Sequence, residues 1–375
     1  MKKLMMAWLI VFMLVPIAWA NNTKVAAGFW HTVYIDGTDV YGMGRTDLGS
    51  LANTVDAGNI PHPLGIGDAK YVAAGPYTTV VLLNDGYAVY FGYLFSTRTR
   101  QFEPQLVPAV GVTDVAPFMT GLIYVTDTGA AFLWDFDPST IPMQLPIDGA
   151  VSADCGDNEC LVLDSLGQVW SIGSEVKVVG TNAKMVSHGR RHKTFVHSDN
   201  NGKAWGSGRK GQIGDGFRLD RTAPVALSRG QFTKIMAGGM QTLGITESGD
   251  LYIWGFHNII RSSEGLWVQS RHPTMLSGIG NVREAYASLD FSLILTNTGE
   301  LYGWGGNKKG KLGLGHTTET HDLEYITTIT IVVDEEPVKS NNGRKGRQCN
   351  EQDANRGHGN DCDRIDDDNT GGRKK

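Results

Sequence analysis

One short motif recurs seven times along this chain of 375 residues, and that repetition limits the folds that the chain can adopt. Each copy begins with small residues, continues through an apolar, β-branched run and a glycine-containing turn, and ends in an aromatic–glycine segment. The turn glycines of the copies are Gly37, Gly86, Gly129, Gly167, Gly202, Gly249 and Gly299. Their mean spacing is about 44 residues, the length of one four-stranded propeller blade. The spacing therefore predicts an all-β, seven-bladed β-propeller.

The residue types within each copy support the same fold. In the second copy the run 78–83 is rich in Thr, Val and Leu and meets the turn Asn84-Asp85-Gly86, which is typical of a β-hairpin. We expect the small residues 25–28, which precede the first strand, to lie at the crowded inner rim of the ring. The β-rich run 324–333 follows the last copy, and we expect it to supply a missing strand beside the N-terminal segment and so close the ring.

The repeats resemble those of the regulator of chromosome condensation family of seven-bladed propellers. The resemblance is carried by Gly303-Trp304-Gly305, by the arm that follows it at 306–315, and by the similar arm 206–216 in copy five. It covers residues 24–333. Copies three and four depart from the pattern, because Pro117 and Asp154 stand at the first glycine position and Asp135 at the closing glycine position.

The N-terminal residues 1–20 have the pattern of a signal peptide. Lys2 and Lys3 precede an apolar core from Leu4 to Ile17, and Ala18-Trp19-Ala20 is a small-x-small cleavage site. An uncleaved membrane anchor is the alternative, and no other segment is long and apolar enough to span a bilayer. We therefore expect an exported bacterial protein, periplasmic or extracellular. Without Lys2 and Lys3 the formal net charge falls from −5 to −7, which disfavours a nucleic-acid partner.

Four cysteines fit an oxidising compartment. Cys155 and Cys160 are close together in copy four, and Cys349 and Cys362 lie near the C-terminus. Pairing within each neighbourhood is the simplest of the three connectivities, because it needs no long-range contact. Free, partly buried thiols are the alternative.

The composition changes after the predicted propeller, which spans residues 21–333. From 334 to 375 apolar residues almost vanish and Asn, Gly, Asp, Arg and Lys dominate, which predicts a flexible polar tail. Within it, carboxylates stand at near-alternate positions, at Asp361, Asp363, Asp366 and Asp368. Oxygen ligands at this spacing would suit calcium. The spacing is not that of an EF-hand, so a solvated acidic run without a ligand is the alternative.

No motif for catalysis stands out. A Gly-x-Ser-x-Gly nucleophile elbow and a zinc-ligand spacing are both absent from the sequence. His188 and His192 bracket a turn, and His192 aligns with His31, so we interpret these histidines as structural. We predict no catalytic residues and no cofactor, although an active site assembled from separate blades would leave no mark in a single sequence.

The repeat alignment also predicts a recognition surface. Each copy has two variable residues on the turn that follows its small residues, and in copy four these are Cys155 and Gly156. Equivalent turns fall on one face of a propeller. The predicted contact residues on these turns are Phe29, Trp30, Tyr77, Phe118, Arg190, Arg191, Met240 and Asp290. Aromatic residues, Arg and Met are enriched at protein interfaces.

We therefore expect a monomeric, exported protein that binds another protein through one propeller face. The resemblance supports a protein partner, because the family includes guanine-nucleotide exchange factors and exported propellers that inhibit β-lactamases. Two alternatives remain open. The aromatic side chains could stack on sugar rings in a carbohydrate-binding propeller, or the protein could be a lyase or hydrolase. A further alternative for each contact residue is that its side chain folds inward and fills the channel mouth.

Overall fold

The computed structural model describes residues 23–52, 58–261 and 267–331, and these residues form seven four-stranded antiparallel sheets. Each sheet takes four consecutive strands in chain order, so each predicted repeat is one blade. Blade 1 contains the first four strands, and blade 7 contains the last four. The predicted all-β, seven-bladed propeller is confirmed. Hydrophobic side chains from adjacent blades pack against one another, so the core lies between the blades.

The strands occupy equivalent positions in every blade. The first strands are β1 Val25–Ala27, β5 Ala69–Ala74, β9 Val112–Pro117, β13 Ala150–Cys155, β17 Ala183–His188, β21 Lys234–Ala237 and β25 Val282–Ala287. The second strands are β2 His31–Asp36, β6 Thr78–Leu83, β10 Leu122–Thr126, β14 Cys160–Asp164, β18 His192–His197, β22 Gln241–Ile245 and β26 Phe291–Thr296. The third strands are β3 Asp39–Gly44, β7 Ala88–Leu94, β11 Ala131–Trp134, β15 Val169–Ile172, β19 Gly202–Gly206, β23 Leu251–Arg261 and β27 Glu300–Gly305. The fourth strands are β4 His62–Pro63, β8 Thr99–Leu106, β12 Met143–Gln144, β16 Val176–Gly180, β20 Arg221–Ala226, β24 Trp267–Met275 and β28 Thr320–Thr328.

The small residues of each repeat form the first strand itself. Ala26 pairs with Val33 in β2, so the expectation that these residues precede the first strand is wrong. First strands of neighbouring blades contact one another around the ring, including β25 with β1, which places them at the centre. Small side chains permit this close approach where the blades converge.

A closing glycine ends the third strand in blades 1, 5 and 7 and lies within the third strand in blades 2 and 6. Gly44, Gly92, Gly206, Gly255 and Gly305 all have φ between 91° and 126°. A Cβ at Gly92 would lie 2.4 Å from the carbonyl oxygen of Tyr77. The next residue, Tyr93, donates its N–H to that same carbonyl at 3.0 Å. The glycine therefore allows the end of the third strand to hold the turn between the first and second strands.

Blades 3 and 4 lack this arrangement, as their irregular repeats suggested. Asp135 and Gly173 follow their third strands, and their first turns contain four residues, at 118–121 and 156–159, where the other blades have three. The interpretation of Cys155 as a turn residue is therefore wrong. Cys155 ends β13 and faces Cys160 in β14, because the turn opens at Gly156, whose N–H donates to the Glu159 carbonyl at 2.9 Å. The predicted disulfide between these two cysteines is confirmed, whereas Cys349 and Cys362 lie outside the described residues.

Side chains at the start of the second strand join neighbouring blades. His31 Nε2 lies 3.0 Å from Thr79 Oγ1 in blade 2, and His192 Nε2 lies 2.8 Å from Thr242 Oγ1 in blade 6. Thr242 donates its hydroxyl proton to the Gln212 carbonyl, so His192 is the donor in this pair. Burial lowers the pKa of His31 to about 4 and that of His192 to about 3, which keeps both rings neutral. These histidines are structural, as the repeat alignment indicated.

The ring closes by side-chain packing between blades 7 and 1. β28 pairs with β27 as the outer strand of blade 7, so the expectation that the run 324–333 completes blade 1 is wrong. Blade 1 is complete because β4 supplies its own outer strand. Ile329 instead packs in one cluster with Val25 and Phe291, and the Thr330 N–H donates to Asp36 Oδ1 at 2.7 Å.

Candidate binding face

The turns between first and second strands lie together at one end of the propeller. Because the strands alternate in direction, the ends of the third strands lie at the same end, and their backbone bonds to these turns confirm the placement. We call this end the top face; it comprises the first turns and the residues that directly follow each closing glycine or, in blades 3 and 4, the third strand. The bottom face comprises the turns between second and third strands, such as 84–87 and 165–168.

Phe29 and Arg190 meet over the centre of the top face. They belong to blades 1 and 5, which are not neighbours, so their contact spans the channel mouth. The Arg190 guanidinium lies 5.8 Å from the Phe29 ring centroid, within the range of a cation–π interaction. Arg190 Nε also bonds Asp157 Oδ2 of blade 4 at 2.9 Å. Both residues are partly exposed, as a contact surface requires. Their side chains also meet over the channel mouth, as the alternative of inward-folded side chains expected.

Aromatic rings form one side of the top face, which we call the aromatic zone: Phe29, Trp30, Tyr77, Tyr93 and Phe95. The Phe29 and Tyr77 rings meet edge to face at 5.7 Å, and Phe95 contacts Tyr77 at 5.4 Å and Tyr93 at 4.8 Å. Phe95 is 37% exposed, and the other four rings are half-buried. Sequence reasoning missed Tyr93 and Phe95, although their position around a closing glycine, Gly92, is the signal that places them beside the first turn.

A buried lysine lies beneath Trp30 and holds Asp290. Lys311 is fully buried, and its Nζ lies 2.5 Å from Asp290 Oδ1 and 4.9 Å from the Trp30 ring centroid. Burial lowers the pKa of Lys311, and the hydrogen bond from Lys311 to Asp290 opposes that shift. In the sequence, the arm around Lys311 indicated only the repeat family. The signal that was missed is the Lys at this position, where the equivalent arm of blade 5 has Gln212.

The remaining predicted contact residues differ in exposure. Met240 is 40% exposed and Arg190, Arg191 and Asp290 are exposed, whereas Phe118 is half-buried and packs against the core between blades 3 and 4. The structure thus brings Phe29 and Tyr77 together, sets Trp30 over Lys311 and Arg190 against Phe29, and leaves Phe118 separate.

Blade 5 carries a second, basic region on the top face. Arg191, Arg209 and Arg221 line a groove of about 570 Å³ together with Ser207, Asp220 and Thr222. Arg221 Nη2 lies 2.5 Å from Asp215 Oδ2, and its guanidinium lies 5.3 Å from the Phe217 ring centroid. Arg209 Nε lies 3.2 Å from Asp220 Oδ2. Arg209 and Arg221 were not among the predicted contact residues.

Within the described ranges, no group of three or more His, Cys, Asp or Glu side chains is arranged to hold a metal ion. The predicted calcium ligands Asp361, Asp363, Asp366 and Asp368 lie outside the described residues. The described residues also include no helix with the length and apolarity needed to cross a bilayer.

Comparisons with known proteins agree with this architecture. The family model of the regulator of chromosome condensation (RCC1) repeat matches residues 282–311, which lie in blade 7. The chain is 30% identical over 189 residues to the ultraviolet-B receptor UVR8 of Arabidopsis thaliana, covering 44% of this chain and 43% of the receptor. It is 23% identical over 249 residues to the E3 ubiquitin-protein ligase HERC2 of Homo sapiens, covering 56% of this chain and 5% of the ligase. The chain thus spans less than half the length of either relative.

Among solved structures, Prp20p of Saccharomyces cerevisiae superposes with a TM-score of 0.51 at 18% identity, covering 81% of this chain and 76% of Prp20p. The molecule is therefore a seven-bladed propeller with a continuous top face built from its turns. More particularly, the repeat of blade 7 matches the regulator of chromosome condensation family model, and the resemblance predicted from the repeats is confirmed.

Proposed function

We propose that this protein is an exported binding protein that engages a protein partner through its top face. The observation that carries the proposal is the unequal chemistry of the two ends. The bottom turns consist mainly of Asp, Asn, Ser, Thr and Gly, as hairpin geometry favours, and Tyr87 and Leu166 are exposed exceptions. The top turns differ in every blade and collect aromatic, Arg and Met side chains. A concentration of varied aromatic and basic side chains on one face is what a recognition surface on a repeat scaffold requires.

The aromatic zone has the physical properties of an interface centre. Its rings hold one another through edge contacts, so a partner would bind a preformed surface and lose less conformational entropy. Tyr, Trp and Phe bury large areas with few rotatable bonds, and they dominate binding energy at protein interfaces. Prp20p has binding properties towards Gsp1p and histones, which supports a protein partner for a propeller of this type.

A pull-down with matched variants tests the proposal. The purified chain and a Tyr77→Ala/Phe95→Ala variant would be incubated with envelope and culture proteins of the source organism. Tyr87→Ala is the control, because Tyr87 is 40% exposed on a bottom turn of the same blade. We expect a protein that the wild type and the control capture, and that the top-face variant loses while circular dichroism shows it to be folded.

The captured protein would then be purified and its Kd measured with each variant, with a loss of about tenfold or more expected for the top-face substitution. Equal capture by all three forms, or no specific capture, would refute the proposal. A glycan array and a hydrolase and lyase screen would then test the two alternatives.

Export is the second part of the proposal, and it is supported by the signal-peptide pattern of residues 1–20. Intact-mass analysis of the protein recovered from the source organism tests it. We expect a mature chain beginning at Asn21 in the periplasm or medium. A full-length chain recovered from the cytoplasm would contradict export and leave the binding proposal standing.

A further inference from the structure

The groove on blade 5 stands out because the rest of the chain is acidic. The formal net charge of the chain is −5, yet three arginines and a single carboxylate, that of Asp220, line this groove. The hydroxyls of Ser207 and Thr222 add donors beside the guanidinium groups. The lining therefore presents an excess of positive charge and hydrogen-bond donors in one concave site.

Two of the arginines are held in place by neighbours outside or at the rim of the groove. Arg221 is fixed by Asp215 and by its contact with Phe217, and its side chain is only 27% exposed. The Arg209 side chain is 81% exposed and pairs with Asp220 at 3.2 Å, a weak surface pair that a ligand carboxylate could replace.

Arg191 is the least satisfied of the three. It is exposed, and among the described residues no carboxylate lies within salt-bridge distance of its guanidinium group. Its backbone is nevertheless fixed, because the Ser207 N–H donates to the Arg191 carbonyl at 2.8 Å. A guanidinium on a fixed backbone, with its charge uncompensated, is suited to bidentate recognition of a carboxylate.

We infer that this groove binds an acidic segment, rich in Asp or Glu, of the protein partner. The inference rests on the proposed function and names the chemistry that the partner brings to blade 5. Leu219 and Phe217 are 56% and 57% exposed beside the arginines, so apolar residues flanking the acidic segment would also find contacts. A nucleic acid is the less favoured occupant, because three arginines in one groove can neutralise few phosphates, whereas nucleic-acid affinity is built from many such contacts.

Fluorescence anisotropy with a short labelled poly-glutamate peptide tests the inference on the full chain. We expect saturable binding that weakens as salt rises, because the pairs are partly exposed. Arg191→Ala/Arg209→Ala should weaken binding by about tenfold or more, and Arg191→Lys should lose part of it because an ammonium lacks the planar fork. Arg100→Ala removes one positive charge from the exposed outer strand of blade 2, as Arg191→Ala alone does from the groove, and should leave the affinity unchanged.

Three results with the peptide and nucleic-acid probes would overturn the inference. The first is equal affinity for the groove variant and the Arg100 variant, which would indicate only long-range attraction. The second is no peptide binding at low salt. The third is tighter binding of single-stranded DNA than of the peptide through the same arginines. If the aromatic-zone variant loses the captured partner while the groove variant keeps it fully, the proposed function stands and the acidic-segment inference fails.

Discussion

At the scale of single residues, buried carboxyl groups join the irregular blades. Asp114 in blade 3 accepts the Ala153 N–H of blade 4 at 2.8 Å, and Asp154 in blade 4 accepts the His188 N–H of blade 5 at 2.9 Å. Burial raises the pKa of Asp114 to about 8 and that of Asp154 to about 6, and the backbone hydrogen bonds oppose both shifts. The carboxyl group of Asp114 is therefore neutral in the fold at pH values where a solvated one is ionised.

The raised pKa of Asp114 predicts a pH-dependent stability. A raised folded-state pKa contributes stability below the unfolded value, near 4, and this contribution is lost as pH rises through about 8. Asp114→Asn keeps an oxygen acceptor and cannot ionise, so we expect a higher melting temperature than wild type at pH 9 and a similar one at pH 5. The gain at pH 9 should be on the order of 1 kcal/mol or more. Asp148→Asn, at an exposed site, is the control. A melting temperature for Asp114→Asn at or below wild type at pH 9 would contradict the assignment.

The closing glycine of blade 2 supplies a second prediction at this scale. Gly92→Ala places a Cβ 2.4 Å from the Tyr77 carbonyl oxygen at a φ of 126°, so the variant should lose about 2 kcal/mol or more of unfolding free energy. Because Tyr77 belongs to the aromatic zone, partner binding should weaken as well. Gly280→Ala is the matched control, since no atom lies within 4 Å of the added Cβ. Urea denaturation of both variants measures the difference, and equal midpoints would refute the explanation.

At the scale of structural elements, side-chain hydrogen bonds between second strands link neighbouring blades. Gln241 Nε2 donates to Ser292 Oγ of blade 7 at 2.8 Å, repeating with an amide what His31 and His192 do with imidazole. The different residue types satisfy one requirement, which is a side-chain donor that reaches the hydroxyl on the next blade. The local sequence places the donor, and the neighbouring blade supplies the acceptor.

Thr242→Val tests this hydrogen bond. The substitution keeps the shape of the side chain but leaves His192 Nε2 buried without its acceptor, and the Gln212 carbonyl keeps only the Trp254 indole as a side-chain donor. We expect a loss of about 1–3 kcal/mol in unfolding free energy by chemical denaturation. Thr222→Val, on the exposed outer strand of blade 5, should change stability little. If Thr242→Val has the same unfolding free energy as that control, the hydrogen bond between blades 5 and 6 contributes no net stability.

At the scale of the whole molecule, the ring closes without a blade that combines strands from both ends of the chain. The seam between blades 7 and 1 relies on hydrophobic packing around Ile329, which is 2% exposed, and on the bond from Thr330 to Asp36. Every other pair of neighbouring blades is also linked by a direct chain connection. The seam lacks one, so non-covalent contacts alone must keep the ring closed.

Ile329→Ala should therefore destabilise the entire propeller. Removing the buried side chain costs about 3 kcal/mol in transfer and cavity terms, and we expect one cooperative melting transition at a lower temperature. Ile141→Ala, at a side chain that is 92% exposed, is the control. Differential scanning calorimetry would measure both, and an unchanged melting temperature for Ile329→Ala would show that other contacts close the ring.

Much of the fold was predictable because each blade is encoded locally. The spacing of the turn glycines predicted the number of blades, the small residues predicted the inner rim, and the short separation of Cys155 and Cys160 allowed their pairing. Ring closure was predicted wrongly because pairing propensity in the run 324–333 does not say which neighbouring strand it joins. β28 joins β27, the strand that precedes it in the chain and is already beside it.

The sequence by itself determined the seven blades and put the variable turns on a common end, since both follow from a repeated strand order. Only the tertiary structure decided which of those turns meet. Arg190 reaches Phe29 across the channel, Lys311 reaches Trp30 from blade 7, and Arg191 shares a groove with Arg209 and Arg221. These contacts depend on how blades are arranged around the ring, and a repeat pattern carries no information about the distances between side chains from different copies.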